Sequence, residues 1–399
     1  MNTTVEISRW LEEDLLGSMV SWRRYLHQHP EVSFHEQETS AFVAGKLEEL
    51  GLEVRRNVGG HGVLAVLRGG RPGPVVMLRA DMDALPIQDE KDCEYRSLKD
   101  GAMHACGHDG HTSILLGTAS YYSKIRDQVE GEIRFLFQPA EELLPGGAVQ
   151  VISDGVLEGV DVIYGIHLWT PIPVGNAASL AGPIMAAADD FYIEITGKGG
   201  HGGMPQVTND SVVAGSALVM QLQSVVSRSV DPLKPAVLTI GTIQGGSAQN
   251  VIAETCRLSG TVRTFDEDTR EVMKQRVHDM TSHIAASYGT RAEINYIMGY
   301  PPVVNDTGEA ARFFKEAVDV FGSEHVVESP QLMPAEDFAY YLRQRPGCFM
   351  FVGAGNPDKN AIYPHHHPKF DFDEDAMLHA VKLFIAMTDS YISEQAARF

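Results

Sequence analysis

Apolar positions recur at helical spacing over residues 7–25 and again over 42–50, where Gly51 stands as a helix-ending residue. Short runs rich in branched and aromatic residues follow at 63–67, 75–78, 133–137 and 162–166, set apart by Gly/Pro turns or by a helical stretch at 113–122. This alternation predicts an α/β fold in which helices layer a sheet. After Pro183 the pattern becomes strand 190–196, helix 211–226, strands 236–243 and 255–264, helix 266–288 and strand 291–297. That βαββαβ order is the split βαβ arrangement of a ferredoxin-like domain. From Pro301 onward, helix 308–321, strand 348–352 and helix 373–393 complete the first sheet. The expected organisation is a larger domain made of 1–184 and 299–399, with a smaller domain, 185–298, inserted into it.

Composition narrows the class. Of 399 residues, 44% are apolar and 21% charged, which suits a globular chain and excludes a collagen-like fibre. Thirty-two Lys and Arg face 53 Asp and Glu, and the resulting charge of −21 repels nucleic acid and anionic membranes. Among the first twenty residues, Glu12, Glu13 and Asp14 stand between Trp10, Leu11, Leu15 and Leu16, which reads as an acidic amphipathic helix rather than a signal peptide. No apolar stretch approaches the ~18 residues needed to span a bilayer. Four widely spaced cysteines (Cys93, Cys106, Cys256, Cys348) are too few for a disulfide framework, so a cytoplasmic location is expected.

Chemistry is concentrated in a few segments. Of 16 histidines, six fall in two short stretches: His104, His108 and His111, and the tandem His365, His366 and His367. Cys106 and His108 form a Cys-x-His pair, a donor set suited to zinc and its neighbours. Glu141 and Glu142 follow one predicted strand and His167 another, and strand ends are where open α/β sheets bind ligands. Cys106, His108, Glu142, His167 and one C-terminal histidine make five donors, one too many for a tetrahedral site and enough for two metals if one donor bridges. Two dications bring four positive charges, of which a thiolate and Glu142 cancel two, so the site favours an anionic substrate or transition state. Glu141, the remaining acid, is placed to move a proton between a water and a leaving amine. That constellation is a hydrolase. Residues 197–202 match G-x-G-x-x-G, but Pro205 interrupts before the helix and no acid follows to bind a ribose, which argues against a dinucleotide.

Eight segments also stand in an order shared by one family: 27–31 (His-Gln-His-Pro-Glu), 79–86, 103–111, 138–142, 165–169, 199–201, 250–252 and 336–338. In these the chain resembles the metal-dependent aminoacylase, hippurate hydrolase and auxin-conjugate hydrolase amidohydrolases. The resemblance covers nearly the whole chain. It implies a di-metal catalytic domain with a central mixed sheet and an inserted ferredoxin-like lid or dimerisation domain, acting on the amide bond of N-acyl amino acids. It implies Cys106 as a bridging thiolate, Glu142 and His366 on one metal, His108 and His167 on the other, and Glu141 as general base and acid. His366 is chosen because 366–370 match the family's His-x-Pro-x-Phe pattern, with His365 as rival. Asp83 would orient a metal ligand. His201, from a partner subunit's lid, would stabilise the oxyanion, while Asn250 and Arg263 would meet the substrate from the same lid, Arg263 at its carboxylate. Two divalent ions per subunit (Zn, Mn, Co or Ni), a small-molecule substrate and a homodimer or higher oligomer follow from the same resemblance. Gln206, Asp210-Ser211 and Leu143–Gly147 depart from the usual family pattern, which bears on acyl-group preference. The alternatives are a dipeptidase or carboxypeptidase of the same family, or a non-catalytic metal-binding or ligand-binding protein.

Overall fold

The structure is a computed structural model and describes Trp10 and residues 14–396. The chain runs through helices α1 (Leu16–Gln28) and α2 (Gln37–Glu49), then β1 (Glu53–Val58), β2 (Gly62–Arg68), β3 (Arg71–Asp81), α3 (His108–Lys124), β4 (Glu130–Gln138), β5 (Val162–Pro173) and β6 (Ala177–Ser179). It continues with β7 (Ala187–Thr196), β8 (Gly200–His201), α4 (Ser211–Ser229), β9 (Ala236–Gly245), β10 (Val251–Ile252), β11 (Thr255–Thr264), α5 (Glu267–Ser287) and β12 (Arg291–Met298). The last elements are α6 (Thr307–Phe321), β13 (Val326–Glu328), β14 (Gly347–Gly355) and α7 (Asp375–Ala396). Of the helix predicted over 7–25, positions 7–9 and 11–13 lie outside the described residues. Among the described residues no helix is long and apolar enough to cross a membrane.

Two compact units result. One holds the chain up to Gly182 with Val304–Pro330 and everything from Asp337; the other holds Pro183–Val303 and Gln331–Glu336. The first unit is built on an eight-stranded mixed sheet in the order β1-β2-β4-β3-β5-β14-β6-β13. Its central strands β4, β3, β5 and β14 are parallel, so their carboxyl ends open on one edge of the sheet. Helices flank it, and Met19, Val43, Leu116, Phe313 and Phe384 pack with Leu78, Phe135, Tyr164 and Met350 in one buried core.

Two differences from the sequence expectation matter for the site. Helix α3 begins at His108, earlier than the predicted 113, because Gly107 adopts a left-handed conformation (φ 98°) that turns the chain directly into the helix. Strand β5 does not stop at 166 but pairs with β14 as far as Pro173, so His167 sits inside a strand. Its other neighbour, β3, pairs with β5 only up to Gly165, which leaves His167 beside the end of a strand.

The second unit has the βαββαβ order, with an antiparallel sheet β9-β11-β7-β12. Leu218 and Leu222 of α4 and Met273 and Val277 of α5 pack on Phe191, Ile195, Leu258 and Val262 of the sheet. Asp210 and Asp266 cap the two helices with side-chain oxygens that accept from Val212 N, Val213 N and Thr269 N. Each such cap contributes about 1 kcal/mol.

Candidate active site

Within the first unit the donor side chains converge at the carboxyl ends of β3, β4 and β5. Cys106, His108 and His167 bring one donor atom each to within 4.8 Å of one another, and so do Cys106, Glu142 and His366. Cys106 belongs to both groups. Its Sγ lies 3.5 Å from His167 Nε2, and Glu142 Oε1 lies 3.3 Å from His366 Nε2 and 3.8 Å from His108 Nε2. Glu141 joins His108 and Glu142 in a third group of the same tightness. His366 has a left-handed backbone (φ 67°) and is anchored by its N–H to Ala105 O at 2.8 Å. His365 stands outside these groups: it stacks on His167 with ring centroids 5.2 Å apart and meets Trp169 and Phe370 edge-on.

The His108 and His167 imidazoles are each turned by a hydrogen bond at the far nitrogen. His108 Nδ1 donates to the Asp83 main-chain oxygen at 2.9 Å, which leaves Nε2, buried and without a hydrogen-bond partner among the described residues, facing the cluster. His167 Nδ1 donates to Leu168 O at 2.7 Å. The Leu168 N–H in turn donates to His111 Nε2 at 2.9 Å, and His111 Nδ1 is held by Asp81 Oδ1 at 2.6 Å. Asp81 is itself gripped by Arg79 Nη1 at 2.6 Å, and Arg79 continues to Gln138 (2.9 Å) and Asp337 (2.8 Å). Asp83 Oδ2 accepts from Ser33 Oγ (2.7 Å) and from the Glu142 N–H (3.0 Å). Sequence reasoning names Asp83 but assigns no role to Asp81, His111 or Arg79; their signal is position within two of the quoted motifs and, for His111, its place in the histidine cluster.

The electrostatics fit a cation. Burial, reinforced by the charges of Glu142, Glu141 and Asp81, pushes the Cys106 thiol far above its usual range. Burial also works against a charged His108, but Asp81, Asp83 and Glu142 outweigh it and raise that imidazole to about 10. A buried acidic nest therefore demands positive charge. Dications would supply that charge, and thiolate, imidazole and carboxylate are donors that suit zinc and its transition-series neighbours.

The remaining candidates belong to the second unit. His201 on β8 pairs with Val251 on β10, and the Gly202 N–H donates to Asn250 O at 2.7 Å, so His201 and Asn250 share one two-stranded ribbon. Both are exposed. Arg263 is not with them. It pairs with Ala188 near the opposite end of the β7–β11 ladder, eight residues along β11 from Thr255, or about 25 Å at strand rise. It is half-buried and donates to Thr261 Oγ1.

A thiol shared by two donor groups, at the open edge of a mixed sheet and next to a spare carboxylate, defines a metal-dependent hydrolase of amide bonds. More particularly, the chain matches the sequence profile of peptidase family M20/M25/M40 over residues 77–390, and it belongs to that family. It is 48% identical to the N-acyl-L-amino acid amidohydrolase of Geobacillus stearothermophilus over 77% of this chain and 83% of that one. Thermostable carboxypeptidase 2 of Saccharolobus solfataricus is 39% identical over 94% of both chains. Among solved structures, a dinuclear metal binding peptidase of the M20 family from Bacillus subtilis superposes with a TM-score of 0.82 at 34% identity, covering 96% of this chain and 99% of that one.

Proposed function

We propose that the chain hydrolyses N-acyl amino acids to a carboxylic acid and a free amino acid, using two divalent cations per subunit. The observation that carries this reading is the pair of three-donor groups meeting at Cys106. Cys106, Glu142 and His366 would hold one cation, and Cys106, His108 and His167 the other. When bound, the cations, of the Zn, Mn, Co or Ni type, polarise the amide carbonyl and acidify an attacking water. Glu141 takes that water's proton on a carboxylate oxygen and hands it to the departing nitrogen. Asp83 holds His108 and the Glu142 backbone in place. The Geobacillus relative supports an N-acyl amino acid as substrate; the Saccharolobus relative favours peptide carboxyl ends as the second reading.

His201 donates a hydrogen bond to the developing oxyanion at the site of a second copy of the chain, and Asn250 beside it contacts substrate there. Arg263, from the same unit, binds the substrate carboxylate. Exposed Val213 and Met220 of α4 and Ile243 of the edge strand β9 support a homodimer through this unit. Four unpaired cysteines support a reducing compartment, the cytoplasm.

Glu141→Gln tests the whole reading. It retains its cations and loses about 10²- to 10⁴-fold in turnover on acetyl and benzoyl amino acids, and mixing it with His201→Ala restores activity through hybrid dimers. Normal turnover in Glu141→Gln removes Glu141 from the reaction, and no recovery in verified hybrids removes sharing between copies. Faster cleavage of dipeptides than of acylated amino acids selects the second reading.

A further inference from the structure

Glu36 is fully buried although its carboxyl takes no part in the donor groups. One oxygen, Oε1, accepts from the Phe34 N–H at 3.0 Å and from the Ala140 N–H at 2.7 Å. The other, Oε2, is buried with no hydrogen-bond partner among the described residues. Both residues it grips have left-handed backbones, φ 67° at Phe34 and φ 54° at Ala140, a region that side-chain-bearing residues rarely occupy. Ala140 immediately precedes Glu141 and Glu142. Its carbonyl accepts from Gly147 N at 2.8 Å, which closes the turn that carries both acids. Strain at such a turn persists only where surrounding contacts over-determine it.

The loop around Glu36 is itself fixed. Ser33 donates to Asp83 Oδ2, the same oxygen that receives the Glu142 N–H. The Ala84 N–H donates to Glu31 O at 2.8 Å. Loop 31–36 is thus docked on the end of β3 and reaches the acid turn at two points, through Asp83 and through Glu36.

We propose that Glu36 is a positioning residue for hydrolysis: by accepting the Ala140 N–H it holds the left-handed turn that aims Glu141 at its proton and Glu142 at its cation. This rests on the role given to Glu141 above. The acceptor oxygen matters, not the charge. A glutamine can keep that oxygen and put its NH2 where Oε2 now has no partner. Alanine removes the acceptor, and aspartate draws it back by one methylene.

The test measures kcat, KM and bound cation in Glu36→Ala, Glu36→Asp and Glu36→Gln beside Glu141→Gln. Glu36→Ala and Glu36→Asp lower kcat on the order of 10- to 100-fold with KM and cation content kept, whereas Glu36→Gln retains most of the parent kcat. Adding Ala140→Gly, which removes the strain, returns part of the lost kcat in either background. Should Glu36→Ala fail to fold, Glu36→Asp carries the comparison. Parent-like kcat in Glu36→Asp, a loss of kcat matched by lost cation, or no recovery with Ala140→Gly overturns the assignment. If instead Glu141→Gln turns over normally, the failure lies with the role of Glu141.

Discussion

Replacing Arg23 by methionine removes the cation from a buried ionic cluster beneath α3, the helix that starts at His108. Arg23 is fully buried and its Nε donates to Asp109 Oδ2 at 2.9 Å, Nη2 to Asp371 Oδ1 at 2.6 Å and Nη1 to Glu374 Oε1 at 3.2 Å. The three acids do not suffer equally. Asp371 and Glu374 keep 16% and 17% side-chain exposure, so water can replace the guanidinium there, and Asp371 retains the Tyr95 hydroxyl at 2.7 Å. Asp109 has no exposed side-chain surface, and among the described residues its Oδ1 has no partner and only His27 Nδ1 at 2.7 Å remains on Oδ2. Removing one partner of a buried pair costs about 3–5 kcal/mol. With His27 still in place, the lower figure, about 3 kcal/mol, is expected here, a melting shift on the order of 10 °C for a domain of this size. Asp109→Asn in the same background removes the orphaned charge and returns about 2 kcal/mol. The pH dependence has a definite sign. Burial alone would raise the Asp109 carboxyl, but Arg23 and His27 outweigh it and hold the group well below the carboxylate range. In the parent this contribution is therefore present above the unfolded value of about 3.9 and lost as pH falls through the folded value. Without Arg23 burial weighs more heavily, the folded state binds the extra proton more readily, and the gap between parent and variant narrows as pH falls from neutral toward the unfolded carboxylate value of about 3.9. Urea unfolding with chelator present, at matched m-values, measures this gap. A gap below about 1 kcal/mol at the upper pH, or one that widens on acidification, refutes the reasoning.

Cation uptake should release protons, because burial and neighbouring acids hold the Cys106 thiol protonated and Asp81, Asp83 and Glu142 raise His108 to about 10 despite its burial. Affinity then rises with pH toward about 10, and the apo-protein loses what His108⁺ contributes as pH climbs from about 6.5 through that value. Titration calorimetry near neutral pH in buffers of different ionisation enthalpy counts the protons; a count of zero excludes both residues as donors. Gly147→Ala would place a Cβ 1.9 Å from the Pro139 carbonyl oxygen, directly behind the acid turn. It should cost about 2 kcal/mol and at least about tenfold in turnover, and unchanged turnover in a folded variant would show that the turn tolerates displacement.

How much is legible without coordinates follows from what each residue answers to. The element order of the second unit is readable because β7 alternates buried with more exposed positions from Ala187 to Thr196, and because Asp210 and Asp266 mark two helix starts. The candidate donors stand out in the text because ligation admits few side-chain types and those types cluster there. The start of α3 is not. Its first turn, His108-Asp109-Gly110-His111, is polar yet buried, and hydropathy cannot distinguish a buried polar turn from a loop when the satisfying partners are far away in sequence. Those partners are Asp81 for His111, and Arg23 and His27 for Asp109, the latter two 86 and 82 positions away. Glu36 and Ala140 are 104 apart and meet only because loop 31–36 docks on β3. The distance between His201 and Arg263 is hidden for a related reason: both lie on the insert, and only the β7–β11 register places them at opposite ends. Residues that would touch substrate or cation are constrained in type and so leave a mark in the sequence. Residues that aim them are constrained in position, and a contact made across a hundred residues leaves none. It follows that a loss of turnover with cations retained is the signature to seek at Glu36 and Arg79, whose side chains reach neither donor group yet fix the turn and the strand from which the donors point.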